Sequence, residues 1–220
     1  MKVSKGKKLL LLGAVLVVID QVIKILVKTN MEIGEHFSVI GNWFQIFFIE
    51  NEGMAFGMKF GGAAGKFCLS LFRIALSGVL CWWISSLVRK SVGPDSRPAL
   101  LSDGKPVVPT GVLVGLTLIT AGAFGNIIDS LFYGVAFGYA PLMFGRVVDM
   151  FYFPLIDTVW PSWMPFVGGE RFLFFAPVFN FADSCVTVGA FYLILFQSRF
   201  FTRAEDDKSE PEGGKDVKRS

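Results

Sequence analysis

The chain has 220 residues, 53% hydrophobic side chains, 24 phenylalanines and a mean hydropathy of +0.56, a composition too apolar for an ordinary soluble domain. Its net charge of +3 is small and its basic residues cluster by topology, which excludes nucleic acid as a partner and leaves the membrane as the partner that composition implies. Cys68, Cys81 and Cys185 stand apart in apolar segments and His36 has no cysteine or second histidine near it, so no disulfide framework or metal site is expected.

Four lysines lie in Met1 to Lys8, and the apolar run Leu9 to Val27 that follows is broken by Asp20, Gln21 and Lys24. Charges past Ile19 and the lack of a small-residue cleavage site favour an uncleaved first span over a signal peptide. Asp20 and Lys24 stand at i, i+4 in the favourable acidic-first order; mutual neutralisation and a functional role are both open. Thr29 to Lys66 is polar enough to leave the membrane, and its β-favouring stretch Trp43 to Ile49 predicts a small extramembrane sheet. Phe67 to Val88 is the second span, with Arg73 near its start expected to snorkel to the headgroups. Arg89 to Thr110 has the glycines and prolines of a loop. Gly111 to Phe132 forms the third span, Tyr133 to Arg171 a long aromatic and proline-rich excursion, and Phe172 to Phe200 the fourth span. Residues 1–201 therefore read as one four-helix unit and 202–220 as a charged, disordered tail. The N-terminus, the middle loop and the stretch from Arg199 onward hold 4, 4 and 6 of the 21 Lys and Arg, which puts both termini in the cytoplasm. No internal repeat is present, which argues against an inverted-repeat carrier.

The polar residues of the spans converge on one depth. From the cytoplasmic anchors, Asp20 lies roughly 18 Å in, and Asn126 and Asp183 roughly 24 Å in, at about 1.5 Å per residue, against a hydrocarbon core of about 30 Å. Asn180, Asp183 and Thr187 share one face of the fourth helix at i, i+3 and i+7, as Gly122, Asn126 and Asp129 do on the third. In the excursion, Asp149 is a lone carboxylate flanked by hydrophobes in Gly145-Arg-Val-Val-Asp149-Met-Phe. Two carboxylates held at a membrane interface, with no Ser/His or Cys/His set beside them, can share one proton and act as acid and base, titrating as a pair. Paired intramembrane carboxylates also serve proton and cation transport, so hydrolysis and transport both stand at this point.

Five blocks in order bear a specific resemblance to one family. Asp20-Gln-Val-Ile-Lys24, Asn51-Glu-Gly53-Met-Ala-Phe-Gly57, Gly122-Ala-Phe-Gly-Asn126-Ile-Ile-Asp129, Val147-Val-Asp149 and Phe179-Asn180-Phe-Ala182-Asp183 together resemble the lipoprotein signal peptidases (signal peptidase II). The resemblance implies an all-α membrane protein of four transmembrane helices, with an extracytoplasmic β-cradle between the first two and a mobile extracytoplasmic helix in the later excursion. It implies an aspartic endopeptidase of the bacterial cytoplasmic (inner) membrane, monomeric, free of metal and cofactor, with its active site near the outer leaflet. Such an enzyme cuts prolipoproteins on the amino side of a diacylglyceryl-modified cysteine and is inhibited by globomycin. By the same matching, Asp149 and Asp183 form the catalytic pair, Asn126 and Asn180 line the site, and Asn51 and Gly53 belong to the cradle block beside it. Asp129 and Ala182 complete their blocks, and Asp20 with Lys24 supports the first helix. The chain departs from the pattern at Ser130, where members usually have arginine, and in its longer outer loops. Arg146 is expected either to supply the missing positive charge near Asp129 or to snorkel to lipid phosphates, and Trp160 and Trp163 to form an interface belt.

Overall fold

In the computed structural model, which describes residues 4–52, 62–93, 97–101, 104–174 and 177–209, four helices are long and apolar enough to cross a membrane. They are α1 (Lys5–Asn30), α2 (Gly62–Lys90), α3 (Thr110–Ile128) with its continuation, and α5 (Phe181–Ser209). Ser4 caps α1 by accepting from the Lys7 amide at 3.4 Å, and Pro109 stands before α3, where no backbone donor is needed. The third helix is the hub: 56% of its apolar window is buried, against 11–17% for the other three, whose outer faces are left for lipid. Small residues make that position possible. A Cβ at Gly122 would collide with the Ala182 carbonyl and Val186, and one at Gly115 would lie 2.6 Å from Leu193 Cδ2, so α3 and α5 approach more closely than larger residues would permit.

The third helix does not end at Ile128. A π-helical turn, Asp129–Tyr133, and the single turn α4 (Gly134–Ala136) carry it on, so the membrane-capable stretch runs from Thr110 to Ala136, past the expected end at Phe132. The wider turn leaves the Ser130 and Leu131 carbonyls to accept from the Gly145 and Met143 amides at 2.9 and 3.1 Å, which clamps the following loop against the helix. Gly145 must be glycine there, because a Cβ would overlap the Asp129 carbonyl.

Both excursions contribute to one antiparallel sheet. Strands β1 (His36–Ile40), β2 (Phe44–Asn51), β3 (Val147–Tyr152) and β6 (Val178–Phe179) pair in that order, while β4 (Ile156–Val159) and β5 (Arg171–Phe174) form a separate hairpin. The expected cradle between the first two helices is therefore half of a larger sheet. The expected helix in the later excursion is corrected: among the described residues from Phe137 to Phe179 the regular elements are strands, in keeping with the aromatic and β-branched residues of Val147–Tyr152. The fourth helix is also shifted. It begins at Phe181 rather than near Phe172, since Pro177 cannot donate within a helix and Asn180 caps the start, and it runs to Ser209 because Arg-Ala-Glu-Asp-Asp-Lys contains good helix formers. The tail from residue 210 lies outside the described residues.

Two apolar clusters bracket the middle. One gathers Leu9, Leu87, Val108, Val112, Leu113, Leu116 and Leu193, and the other Val27, Phe48, Tyr133, Val148 and Met150. Along α1 and α3, the layer between them holds Asp20, Lys24 and Asp129, all buried.

Candidate active site

Asp183 occupies the first turn of α5, and the local sequence puts it there. Asn180 is the residue before the helix; its Oδ1 accepts from the Asp183 amide at 2.9 Å, while the Asp183 Oδ2 accepts from the Asn180 amide at 3.4 Å. This reciprocal pair is a capping box, and the helix N-terminus favours negative charge on the carboxylate. Asp149 comes from β3 and is 2% exposed. Pairing of Ile49 with Asp149 and of Asn51 with Val147 sets Asn51 diagonally across from Asp149, and the Asn51 amide donates to Asp149 Oδ2 at 3.2 Å.

The side chains of Asn180 and Asn126 together join the two acids. Asn180 Nδ2 donates to Asp149 Oδ1 at 2.6 Å and to Asn126 Oδ1 at 3.1 Å, and Asn126 Nδ2 donates to Asp183 Oδ1 at 2.8 Å. Each carboxyl is thus held by amides, and Asp183 keeps partial exposure. Burial, and after it the charge of Asp183, pushes the Asp149 carboxyl up to about 7, against the opposing pull of the Asn51 and Asn180 amides and of Lys24.

Beneath the pair, Lys24 makes three contacts: Asp20 at 2.9 Å, Asp129 at 2.8 Å and Asn126 Oδ1 at 2.8 Å. Those three acceptors match the three donors of its ammonium group, which is what a fully buried lysine requires. Asp20 Oδ1 in turn accepts from the Ala182 amide at 2.9 Å, and Asp129 Oδ2 from the Val148 amide at 3.3 Å. The same cluster therefore fixes both the start of α5 and the strand that carries Asp149. Among the described residues no group of three or more His, Cys, Asp and Glu is placed to hold a metal ion.

Of the residues singled out in the sequence, Asp20, Lys24, Asn51, Asn126, Asp129, Asp149, Asn180, Ala182 and Asp183 come together in this network; Gly53 lies outside the described residues. Arg146 does not join it. Its guanidinium is 45% exposed, bonds Glu50 Oε2 at 3.2 Å and stacks near the Tyr139 ring, because β3 turns it outward while Asp129 faces Lys24 and Gln21. Glu50 also pairs with Lys28. The expected snorkelling of Arg73 is likewise corrected: its Nη1 donates to Ser130 Oγ at 2.9 Å, inside the protein. Sequence patterning marks Gln21 only as a break in the first apolar run, yet its Nε2 donates to Asp129 Oδ1 at 2.9 Å and to Asp20 Oδ2 at 3.1 Å. For Arg73 a signal was present: Ser70, Arg73 and Ser77 share one helical face, the spacing that marked Asn180 and Asp183.

The model of the signal peptidase (SPase) II family matches residues 12–199. The chain belongs to the signal peptidase II family. It is 46% identical to the lipoprotein signal peptidase of Porphyromonas gingivalis, over 96% of this chain and 92% of the relative. It is 35% identical to that of Amoebophilus asiaticus, over 81% and 72% respectively. A solved bacterial membrane enzyme has the same fold, with a TM-score of 0.53 and 24% identity over 96% of this chain and 95% of its own. As a signal peptidase II the chain is a protease and a multi-pass membrane protein, and its four apolar helices and antiparallel sheet are the frame in which the two carboxylates are set.

Proposed function

We propose that this signal peptidase II is an aspartic endopeptidase of the cytoplasmic (inner) membrane that cuts prolipoproteins on the amino side of the diacylglyceryl cysteine, with Asp149 and Asp183 as its catalytic pair. The observation that carries the reading is the joining of two carboxyls from different elements by the linked side-chain amides of Asn180 and Asn126. Asp149, pushed up to about 7, holds the proton near neutral pH, and the α5 N-terminus favours negative charge at Asp183, the partner that accepts a proton. Asp183 takes a proton from water, the hydroxide adds to the scissile carbonyl carbon, and Asp149 gives its proton to the carbonyl oxygen. In the second step Asp149 takes a proton back from the gem-diol while Asp183 gives its own to the leaving nitrogen. The C–N bond breaks, leaving a carboxyl on the signal peptide and an amine on the cysteine. Asn51, Asn126 and Asn180 keep the carboxyls oriented through both steps.

The distribution of Lys and Arg favours cytoplasmic termini, with the sheet outside and the pair near the outer leaflet. Substrate then enters laterally from the bilayer, and globomycin-type inhibitors compete for the pair. The test is incubation of the purified protein with a prolipoprotein in its diacylglyceryl-modified and unmodified forms. Cleavage of the modified form alone is expected; equal cleavage of both, or of neither, rejects the substrate assignment.

A further inference from the structure

The charges around the pair do not balance without the second helix. Four carboxylates face the polar layer: Asp20 from α1, Asp129 from the π-turn, Asp149 from β3 and Asp183 from α5. Lys24 serves Asp20 and Asp129. Glu50, Lys28 and Arg146 are engaged with one another at the sheet. Among the described residues, α2 adds two cations: Lys66, which feels Glu52 and Glu50 together with the charges of Arg146 and Arg73, and Arg73, which lies within electrostatic reach of Asp183 first, then Asp129 and Asp149. Its guanidinium is aimed by Ser130, whose Oγ accepts from Arg73 at 2.9 Å and donates to the Asn126 carbonyl at 2.9 Å. Asn126 is the residue whose amide holds Asp183. Arg73 therefore reaches the pair both through space and through a two-residue relay. Arginine suits the position because its charge survives partial burial and its planar fork can bond Ser130 while facing a carboxylate.

We propose that Arg73 is a positioning residue of the catalytic pair: anchored on Ser130, it supplies from α2 the positive charge that keeps one carboxylate ionised and directs the Asn126 amide at Asp183. In this chain Ser130, which stands where members of the family usually carry arginine, is the anchor for a charge delivered by a different helix. The inference rests on Asp149 and Asp183 being the working pair, and the experiment separates the two claims.

Two readouts are made on the full-length protein in detergent or bilayer: the pH profile of cleavage, and the titration of the Asp149 carboxyl by infrared spectroscopy of aspartate-labelled protein, assigned by its loss in Asp149→Asn. In Arg73→Gln the Asp149 midpoint moves up by about one pH unit or more, and kcat at neutral pH falls by at least about tenfold with KM little changed. Arg73→Lys restores most of the midpoint, and adding Ser130→Arg to Arg73→Gln restores part of both readouts. Ser130→Ala, which leaves α2 untouched, moves the midpoint part of the way in the same direction and covers the case in which Arg73→Gln folds poorly. An unmoved midpoint in Arg73→Gln or in Ser130→Ala overturns the proposal. So does a lower yield of folded protein whose rate and pH profile per molecule are unchanged. A shifted midpoint together with normal cleavage by Asp149→Asn and Asp183→Asn would sink the pair assignment and leave the charge effect of Arg73 standing.

Discussion

Among the described residues Asp149 has two amide donors and no cation in contact, and its raised proton affinity gives the catalytic pair a pH signature. Asp149→Asn and Asp183→Asn each remove half of an acid and base pair at nearly constant volume. Each is expected to lower cleavage to background in an assay on lipid-modified prolipoprotein, and substantial turnover by either would reject the pair. Cleavage by the parent is expected to decline as pH rises above about 7, where Asp149 loses the proton it donates; a rate still climbing at pH 9 would contradict its role as the acid. Stability follows the same group. A carboxyl at about 7 in the fold and 3.8 when unfolded binds its proton more tightly when folded, so its contribution to stability falls as pH climbs from about 4 to about 7 and is flat above. The ionised form costs on the order of 4 kcal/mol as an upper figure. The melting temperature of Asp149→Asn relative to the parent should therefore rise from pH 5 to pH 8, and a constant difference would mean that the Asp149 carboxyl is not destabilised by burial.

The relation between α3 and α5 decides whether the Asn126 amide reaches Asp183. A Cβ at Gly122 would overlap the Ala182 carbonyl, one residue from Asp183, and one at Gly125 would lie 2.5 Å from Asp20 Oδ2. Gly122→Val should push α5 away from Asn126, costing about 1–3 kcal/mol and most of the activity. Gly78→Val, at a lipid-facing position with nothing within 4 Å, should melt and cleave like the parent. Equal behaviour of the two variants would show that close approach of α3 and α5 is not required. This contact was only half legible in the sequence: the spacing of Gly122, Asn126 and Asp129 marked the face, but its partner could not be read from α3 alone.

Across the whole molecule, the orientation inferred from charge can be tested with single cysteines in a background lacking Cys68, Cys81 and Cys185. Cysteines replacing Glu35 and Glu170 should react with an impermeant thiol reagent added to intact cells, and one replacing Arg97 should not; labelling at residue 97 would invert the topology. Hydropathy by itself determined the four spans, because a membrane demands about 20 apolar residues per crossing whatever the neighbours are. The i, i+3, i+7 spacing determined which faces of α3 and α5 are polar, since helical periodicity is a local property. The tertiary structure decided what no local pattern encodes: that β3 and β6 complete the sheet begun by β1 and β2, that Lys24 rather than Arg146 serves Asp129, and that Arg73 turns inward to Ser130. Charges in a medium of low dielectric are satisfied by whichever partner the packing brings within about 3 Å. The residues that meet there are set by the crossing of helices far apart in the chain.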